Sequence, residues 1–119
     1  MKKTVVLGAS ENPSRYSYLA IQSLRRHGHP VVAIGKKRGK VNDVELSNEK
    51  QPVDDVDTVT LYLNPTRQQE YYDYILSLKP KRIIFNPGTE NDHLYDIAAK
   101  NGIEPMEACT LVLLSTGQY

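Results

Sequence analysis

The sequence has few of the residues on which disulfide-linked, metal-binding and membrane-spanning proteins depend. Its 119 residues include one Cys and no Trp. A single Cys excludes an internal disulfide and a zinc site built from cysteines. The longest apolar run is far shorter than the roughly 20 residues of a membrane-spanning helix, and no charged-then-apolar leader precedes Gly8. We therefore expect a soluble, cytoplasmic protein with one domain over residues 1–119 and no membrane partner.

The net charge of +1 conceals an uneven distribution of charge along the chain. Residues 1–40 contain nine Lys or Arg and one acid, Glu11, for a charge of +8. Residues 41–119 contain six bases and thirteen acids, for a charge of −7. Such an imbalance indicates either that an anionic ligand binds the basic third of the chain or that surface charge is unevenly distributed by accident. The position of the basic residues in the fold has to decide between them.

Short apolar runs that suit strands alternate with segments of helical periodicity. Strands are predicted at 4–7, 31–34, 58–63, 82–85 and 103–106, with a brief extended piece at 44–46. Helices are predicted at 13–28, 66–78 and 91–101, and the tail at 110–114 fits either a helix or a strand. Pro13 suits the first helical position, with Ser10 or Asn12 as the cap. This alternation predicts an α/β fold, a three-layer, doubly wound, mostly parallel sheet whose ligands lie beyond the carboxyl ends of its strands.

The first strand ends in Gly8-Ala9-Ser10, and Asn12 and Arg15 follow closely. A tight strand-to-helix turn of this kind presents free backbone N–H groups at a helix N-terminus, which is a phosphate site. Ser10 and Asn12 add side-chain donors, and Arg15 adds a planar charge that suits a phosphate. The same residues also fit a structural role, in which Gly8 makes the turn and Ser10 caps the helix.

The second strand ends in Gly35-Lys36-Lys37-Arg38. An NAD site has an acid at this place, which binds the ribose hydroxyls, whereas here no acid occurs before Asp43. Four positive charges among residues 36–40 instead suit a phosphorylated ribose, as in NADP or coenzyme A (CoA). A solvated basic loop is the alternative interpretation.

One set of residues resembles a known family. It comprises the run Gly8-Ala9-Ser10-x-x-Pro13-x-Arg15-x-Ser17-Tyr18, a helix that ends at Gly28-His29, and a Val-rich strand. These features are similar to those of the small single-domain CoA-binding proteins, which have a Rossmann-like fold and are related to the CoA-binding domain of succinyl-CoA synthetase. The resemblance spans Val5 to about Leu113.

The resemblance implies that the ligand is CoA or an acyl-CoA, and it assigns roles to four loops. The first loop would hold the CoA phosphates, the end of the second strand would contact the adenosine, and the loops after the next two strands would line the pocket. Carried onto this chain, those positions are Gly8, Ala9, Ser10 and Arg15, then Gly35, Lys36 and Lys37, then Asn64 and Pro65, then Asn86, Pro87 and Gly88.

No combination of residues predicts a reaction. His27 and His29 flank a glycine at a helix end and lack a third metal ligand nearby in sequence, and His93 fits an exposed helix position. Cys109 fits a buried small apolar residue, the commonest fate of a free cysteine. We therefore expect a non-catalytic binding, carrier or regulatory module with no metal site. The alternative is an enzyme that binds NADP or another phosphorylated nucleotide.

The aromatic residues bear on two further classes of partner. They lie mostly outside the basic segment, so the stacking platforms of single-stranded nucleic-acid binding are not interleaved with it, and no nucleic acid is expected. Tyr71, Tyr72 and Tyr74 cover more than one face of their predicted helix, and the tail Leu111–Leu114 is apolar. Together these surfaces predict a homodimer.

Overall fold

Seven strands form one sheet with helices on both faces. The computed structural model describes all residues, 1–119. The strands are β1 (Thr4–Ala9), β2 (Val31–Gly35), β3 (Gly39–Val41), β4 (Val44–Ser47), β5 (Thr58–Leu61), β6 (Arg82–Phe85) and β7 (Glu104–Glu107). The helices are α1 (Tyr16–Arg26), α2 (Pro65–Gln68), α3 (Tyr72–Leu78), α4 (Asp92–Lys100) and α5 (Thr110–Ser115), with a 3₁₀ turn at Gln69–Tyr71. No helix is long and apolar enough to cross a membrane.

The order of strands across the sheet is β3-β4-β2-β1-β5-β6-β7. All neighbouring strands are parallel except β3 and β4. The chain moves outward from β1 first through β2 and then through β5, so the strand order reverses beside β1. In doubly wound sheets the ligand binds in a crevice at this reversal of strand order. The doubly wound, mostly parallel α/β sheet predicted from the sequence is confirmed.

Each face of the sheet has its own hydrophobic core, because successive side chains of a strand point to opposite faces. On one face, Leu7 of β1 belongs to a cluster that includes Ile75 of α3. On the other, Val6 belongs to a cluster that includes Ile21 of α1 and Leu114 of α5. All five side chains are almost completely buried. The packed helices therefore hold the loops at the carboxyl ends of the strands on a fixed scaffold.

The segment 36–56 contains a β-hairpin of which the sequence predicted one half. The extended piece predicted at 44–46 is β4, and β3 pairs with it in the antiparallel direction. Asn42 and Asp43 make the two-residue turn between them, and Asn42 has a φ of +53°. Of the three residues of β3, Val41 alone is apolar, so an alternating pattern had too few positions to show.

Two helices differ from their predicted extents. The first begins at Tyr16 rather than Pro13, and its N-cap residue, Arg15, makes no side-chain capping hydrogen bond. The prediction of Ser10 or Asn12 as the cap is wrong, because both side chains form hydrogen bonds within the preceding loop. The helix predicted at 66–78 is interrupted by the 3₁₀ turn between α2 and α3, and the ambiguous tail forms α5.

Candidate functional site

A cleft of about 900 Å³ opens beyond the carboxyl ends of β1, β2, β5 and β6. Four loops and a few neighbouring side chains form its walls. The lining residues are Gly8–Asn12, Ser14–Ser17, Gly35–Arg38, Leu46, Tyr62–Asn64, Arg67, Tyr71 and Pro87–Thr89. The cleft thus lies at the reversal of strand order, where doubly wound sheets bind their ligands.

Gly8 makes the turn at the end of β1 for two separate reasons. Its φ is +87°, a conformation that side chains rarely adopt, and the pairing register with β2 shifts at this residue. A Cβ here would also lie 2.7 Å from the carbonyl oxygen of Tyr62, which no real Cβ tolerates. Any substitution at Gly8 would therefore displace the loop that follows it from the ends of β1 and β5.

The loop between β1 and α1, which we call the β1–α1 loop (residues 10–15), is held by its own side chains. Ser10 Oγ accepts the N–H of Asn12 at 3.1 Å. Asn12 Oδ1 accepts both the N–H of Ser14 at 3.0 Å and its hydroxyl at 2.8 Å. Because Ser10 and Asn12 act here as acceptors, the Ser10 hydroxyl hydrogen and the Asn12 NH₂ group remain as donors to a ligand.

The N-terminus of α1 opens directly onto the cleft. Tyr16 and Ser17, its first two residues, line the cleft, and no side chain caps the helix. The first N–H groups of a helix have no partner within the helix, and the helix dipole places partial positive charge there. Arg15 adds a full charge at the same point. This end of the cleft is therefore suited to an anion.

A second basic segment, which we call the basic arm (residues 36–40), contributes another wall of the cleft. It follows Gly35, where a Cβ would lie 2.1 Å from the carbonyl oxygen of Ala9. Glycine at this position is thus explained by the close approach of β1 and β2, whether or not it touches a ligand. Lys36, Lys37 and Arg38 are exposed and line the cleft.

The cations of the cleft have no carboxylate partners. The two salt bridges of the protein join Arg25 to Asp43 and Arg82 to Asp57, and both lie outside the cleft. The one acidic residue in the lining is Glu11. The cleft therefore combines unpaired positive charge on two walls with an open helix N-terminus, which is an arrangement for a ligand with several anionic groups.

The sequence also matches a known protein family. The profile of the CoA binding domain matches residues 2–115, which is almost the whole chain. The chain belongs to this CoA-binding domain family. The family suggested by the run from Gly8 to Tyr18, the helix end at Gly28-His29 and the Val-rich strand is therefore confirmed, and CoA is the ligand class with which the family is associated.

Solved structures agree with the fold of this CoA-binding domain. A crystal structure of an uncharacterized protein is 54% identical and superposes with a TM-score of 0.97, covering 100% of this chain and 98% of that one. A hypothetical protein from Pyrococcus horikoshii OT3 is 22% identical, with a TM-score of 0.87 and coverage of 97% and 82%. A protein from Thermus thermophilus is 20% identical, with a TM-score of 0.82 and coverage of 99% and 90%. No curated protein matches the chain.

Most of the site residues predicted from the sequence are brought together in the cleft. Those in the lining are Gly8, Ala9, Ser10, Asn12, Arg15, Gly35, Lys36, Lys37, Asn64, Pro87 and Gly88. The remaining two, Pro65 and Asn86, lie outside it. Pro65 is the first residue of α2, and Asn64 caps that helix by accepting the N–H of Arg67 at 2.9 Å.

Asn86 is buried behind the cleft rather than facing it, and its residue exposure is 2%. Its Nδ2 donates to Thr60 Oγ1 at 2.7 Å and to the carbonyl of Leu61 at 2.8 Å. Its Oδ1 accepts the N–H of Thr110 at 2.9 Å. The amide thus joins β5, the end of β6 and the start of α5, and both of its donors are used inside the protein.

The loops after β5 and β6 are tied to each other by Gln68, which is fully buried. Its Nε2 donates to the carbonyls of Leu63 and Thr89, each at 2.8 Å. Its Oε1 accepts the Nδ2 of Asn91, at 2.9 Å. Leu63 and Thr89 both line the cleft, so this buried amide sets the separation of two of its walls.

Sequence reasoning missed several larger residues of the lining, among them Tyr16, Tyr62, Arg67 and Tyr71. Arg67 lies in the first turn of α2, three residues after Asn64, and that spacing from a predicted helix start is a signal that could have identified it. Burial raises the pKa of both Tyr62 and Tyr71 above its ordinary value. Their hydroxyl groups therefore stay protonated at neutral pH and act as neutral hydrogen-bonding groups.

The other candidate residues of the sequence lie away from the cleft. His29 is buried, its Nδ1 accepts the N–H of Lys2, and its ring packs against Tyr119. Burial and nearby cations hold the pKa of His29 below its ordinary value. Cys109 is half-buried at the start of α5. No three His, Cys, Asp or Glu side chains are grouped as a metal site.

Proposed function

We propose that this protein binds CoA or an acyl-CoA in the cleft and acts as a binding, carrier or regulatory module. The observation that carries the proposal is the presence of unpaired cations on two loops of one cleft, Arg15 on the first and Lys36 and Lys37 on the second. CoA carries a pyrophosphate and a separate 3′-phosphate, so it presents anionic groups at two places along its length. Membership of the CoA-binding domain family supports the same ligand.

The pyrophosphate is assigned to the β1–α1 loop. The open N-terminus of α1 supplies N–H donors and partial positive charge, which suit a phosphate group. The Ser10 hydroxyl and the Asn12 NH₂ group add neutral donors, and the Arg15 guanidinium adds a charge-assisted one. Since the loop is already held by its internal hydrogen bonds, little ordering is needed when the ligand binds.

The ribose 3′-phosphate is assigned to Lys36 and Lys37 of the basic arm. An NAD ribose would need a carboxylate here. The first acid after β2, Asp43, lies outside the lining and forms a 2.8 Å salt bridge with Arg25, which holds the pKa of that carboxyl below its ordinary value. The basic arm thus favours a phosphorylated ribose over the NAD diol.

The composition of the lining supports binding without catalysis. Apart from Glu11, the lining contains no Asp or Glu, and it contains no His or Cys. The lining also contains Ser, Thr, Lys and Tyr side chains, which serve in some enzymes as nucleophiles, acids or bases. No His or Cys accompanies them, and the Glu11 carboxylate accepts a backbone N–H rather than a side-chain hydroxyl. The alternative, an enzyme that binds NADP or another phosphorylated nucleotide, is favoured by one observation, since the basic arm suits a 2′-phosphate as well as a 3′-phosphate.

A thermal-shift panel of CoA, acetyl-CoA, NADP and NAD tests this proposal. A ligand at 100 times its dissociation constant stabilises the folded state by about 2.7 kcal/mol, which raises the melting temperature by several degrees in a chain of this size. We expect the largest shifts from CoA and acetyl-CoA and the smallest from NAD. A larger shift with NADP would favour the alternative, and equal or greater stabilisation by NAD would contradict the assignment of the basic arm.

The predicted homodimer stays a prediction. Tyr71, Tyr72 and Tyr74, which suggested an interface, pack against the core of their own chain. Light scattering of the purified protein measures the oligomeric state directly.

A further inference from the structure

A single side chain crosses from the β1–α1 loop to the basic arm. Glu11 Oε2 accepts the backbone N–H of Lys40 at 3.2 Å. Although five cations line the cleft, Glu11 forms no salt bridge with any of them. Its carboxylate therefore joins two pieces of backbone instead of neutralising a neighbouring charge.

The N–H that Glu11 binds belongs to the free edge of the sheet. Strand β3 is the last strand on its side, and Lys40 pairs with Glu45 of β4. The two-residue turn makes the flanking pair Val41 and Val44 the hydrogen-bonded one, so the next pair along is not hydrogen-bonded. The N–H of Lys40 consequently points away from β4, where no strand can accept it, and Glu11 supplies the acceptor.

Gly39 accommodates the same glutamate side chain. Its backbone does not have a positive φ, so its conformation does not require glycine, and glycine inside a strand is unfavourable. A Cβ at this position would lie 2.5 Å from Glu11 Oε2 and 2.7 Å from Glu11 Cδ. The residue is therefore suited to glycine because the glutamate side chain passes directly over it.

We infer that Glu11 is a positioning residue, which fastens the basic arm to the β1–α1 loop and so fixes Lys36 and Lys37 relative to the pyrophosphate site. The inference rests on the proposed function for its consequence, which is discrimination between ligands with and without a 3′-phosphate. The contact itself exists without a ligand. An arm that is released from the loop spreads over more conformations, and each binding event must then order it again.

The test compares Glu11→Ala with Glu11→Gln, because these two variants have the same charge. The amide oxygen of Gln accepts the Lys40 N–H, whereas Ala does not. In the ligand-free protein, hydrogen exchange at the Lys40 amide is expected to be at least about tenfold faster in Glu11→Ala than in Glu11→Gln.

Calorimetric titration is expected to show about three- to tenfold weaker CoA binding by Glu11→Ala than by Glu11→Gln, the effect of one hydrogen bond. Dephospho-CoA, which lacks the 3′-phosphate, should bind both variants alike.

Gly39→Ala tests the same contact by changing the residue over which the Glu11 side chain passes. Its Cβ should displace the glutamate, weaken CoA binding as Glu11→Ala does, and add little when the two changes are combined. Glu49→Ala, which removes an exposed acid outside the cleft, is the matched control and should leave the Lys40 exchange rate unchanged. Equal exchange rates and equal CoA affinities in Glu11→Ala and Glu11→Gln would overturn the inference. If the unaltered protein does not bind CoA, the proposed function fails, and the exchange rates alone decide whether Glu11 fastens the arm.

Discussion

Replacing Asn86 with alanine should destabilise the fold strongly while leaving ligand affinity nearly unchanged. The side chain makes three hydrogen bonds of 2.7–2.9 Å in a site that excludes water. Its loss leaves the Leu61 carbonyl and the Thr110 N–H without that partner, whereas Thr60 keeps a 2.8 Å contact with the hydroxyl of Thr110. At about 1–3 kcal/mol for each of these two unsatisfied buried groups, we expect a loss of about 2–6 kcal/mol in the free energy of unfolding.

Urea denaturation followed by circular dichroism measures this loss, and thermal denaturation should show a melting temperature lower by roughly 8–24 °C. Asn86→Asp keeps the acceptor for Thr110 and loses both donors, so it should also be destabilised. That loss should shrink as the pH falls toward about 4, because a protonated carboxyl can donate again. Asn101→Ala is the matched control, since it removes an exposed amide with one hydrogen bond to Ile97 and should cost no more than about 0.5 kcal/mol.

The buried position of Asn86 also determines how its loss affects ligand binding. Because the residue lies outside the cleft lining, the folded Asn86→Ala protein should bind CoA within about twofold of the unaltered protein, as for a distant site. A variant of normal stability whose CoA affinity fell by tenfold or more would refute this reasoning. Asn86 would then have to reach the ligand.

Three further predictions concern the charged groups. Arg15→Ala should weaken CoA binding by about 1.5–3 kcal/mol in calorimetric titration, the range for a hydrogen bond to a charged group, and should leave the unliganded stability within about 0.5 kcal/mol. The unaltered protein should bind CoA about 5- to 150-fold more tightly than dephospho-CoA, and replacing Lys36 and Lys37 with alanine should remove most of that preference. The stability of the free protein should fall as the pH drops below about 6.5, because the pKa of His29 is lowered in the folded state and the unfolded chain binds the proton more readily.

Each of these predictions has a control on the same protein. Arg26→Ala removes an exposed cation of α1 outside the cleft, and equal weakening by the two arginine variants would mean that Arg15 acts only through general charge. Lys81→Ala with Lys100→Ala serves the same purpose for the lysine pair. For the pH dependence, a His29→Gln protein should lose the slope near pH 6.5, and a His93→Gln protein should keep it. An unchanged slope in His29→Gln would contradict the assignment to His29.

The fold was predictable from the sequence wherever a whole element shares one pattern. The Val-rich runs of β1 and β2 are too short for helices and apolar at nearly every position, and only a parallel sheet covered on both faces buries such strands. Helix α4, with Asn91 as its cap and Gly102 just beyond its end, follows the ordinary signals of helix termini. These patterns were enough to place the carboxyl ends of the strands and therefore the cleft.

The details that escaped prediction depend on contacts between distant parts of the chain. An Asn-Pro-Gly run predicts a turn, but the direction of the Asn86 side chain is set by Thr60 and Thr110, which lie 26 and 24 residues away. Helix α1 begins later than predicted because Asn12 forms hydrogen bonds with Ser14 in the loop instead of capping a helix. A local sequence pattern does not show which of these competing hydrogen bonds forms.

Backbone amide mapping by heteronuclear NMR during a CoA titration tests the central claim most directly, since it reports both whether the ligand binds and where. The account predicts that chemical-shift changes saturate with CoA and concentrate in four segments of the chain. These segments are Gly8–Ser17, Gly35–Arg38, Tyr62–Arg67 and Pro87–Thr89. No saturable change at millimolar CoA, or changes centred on His29 and Tyr119 at the other end of the sheet, would contradict it.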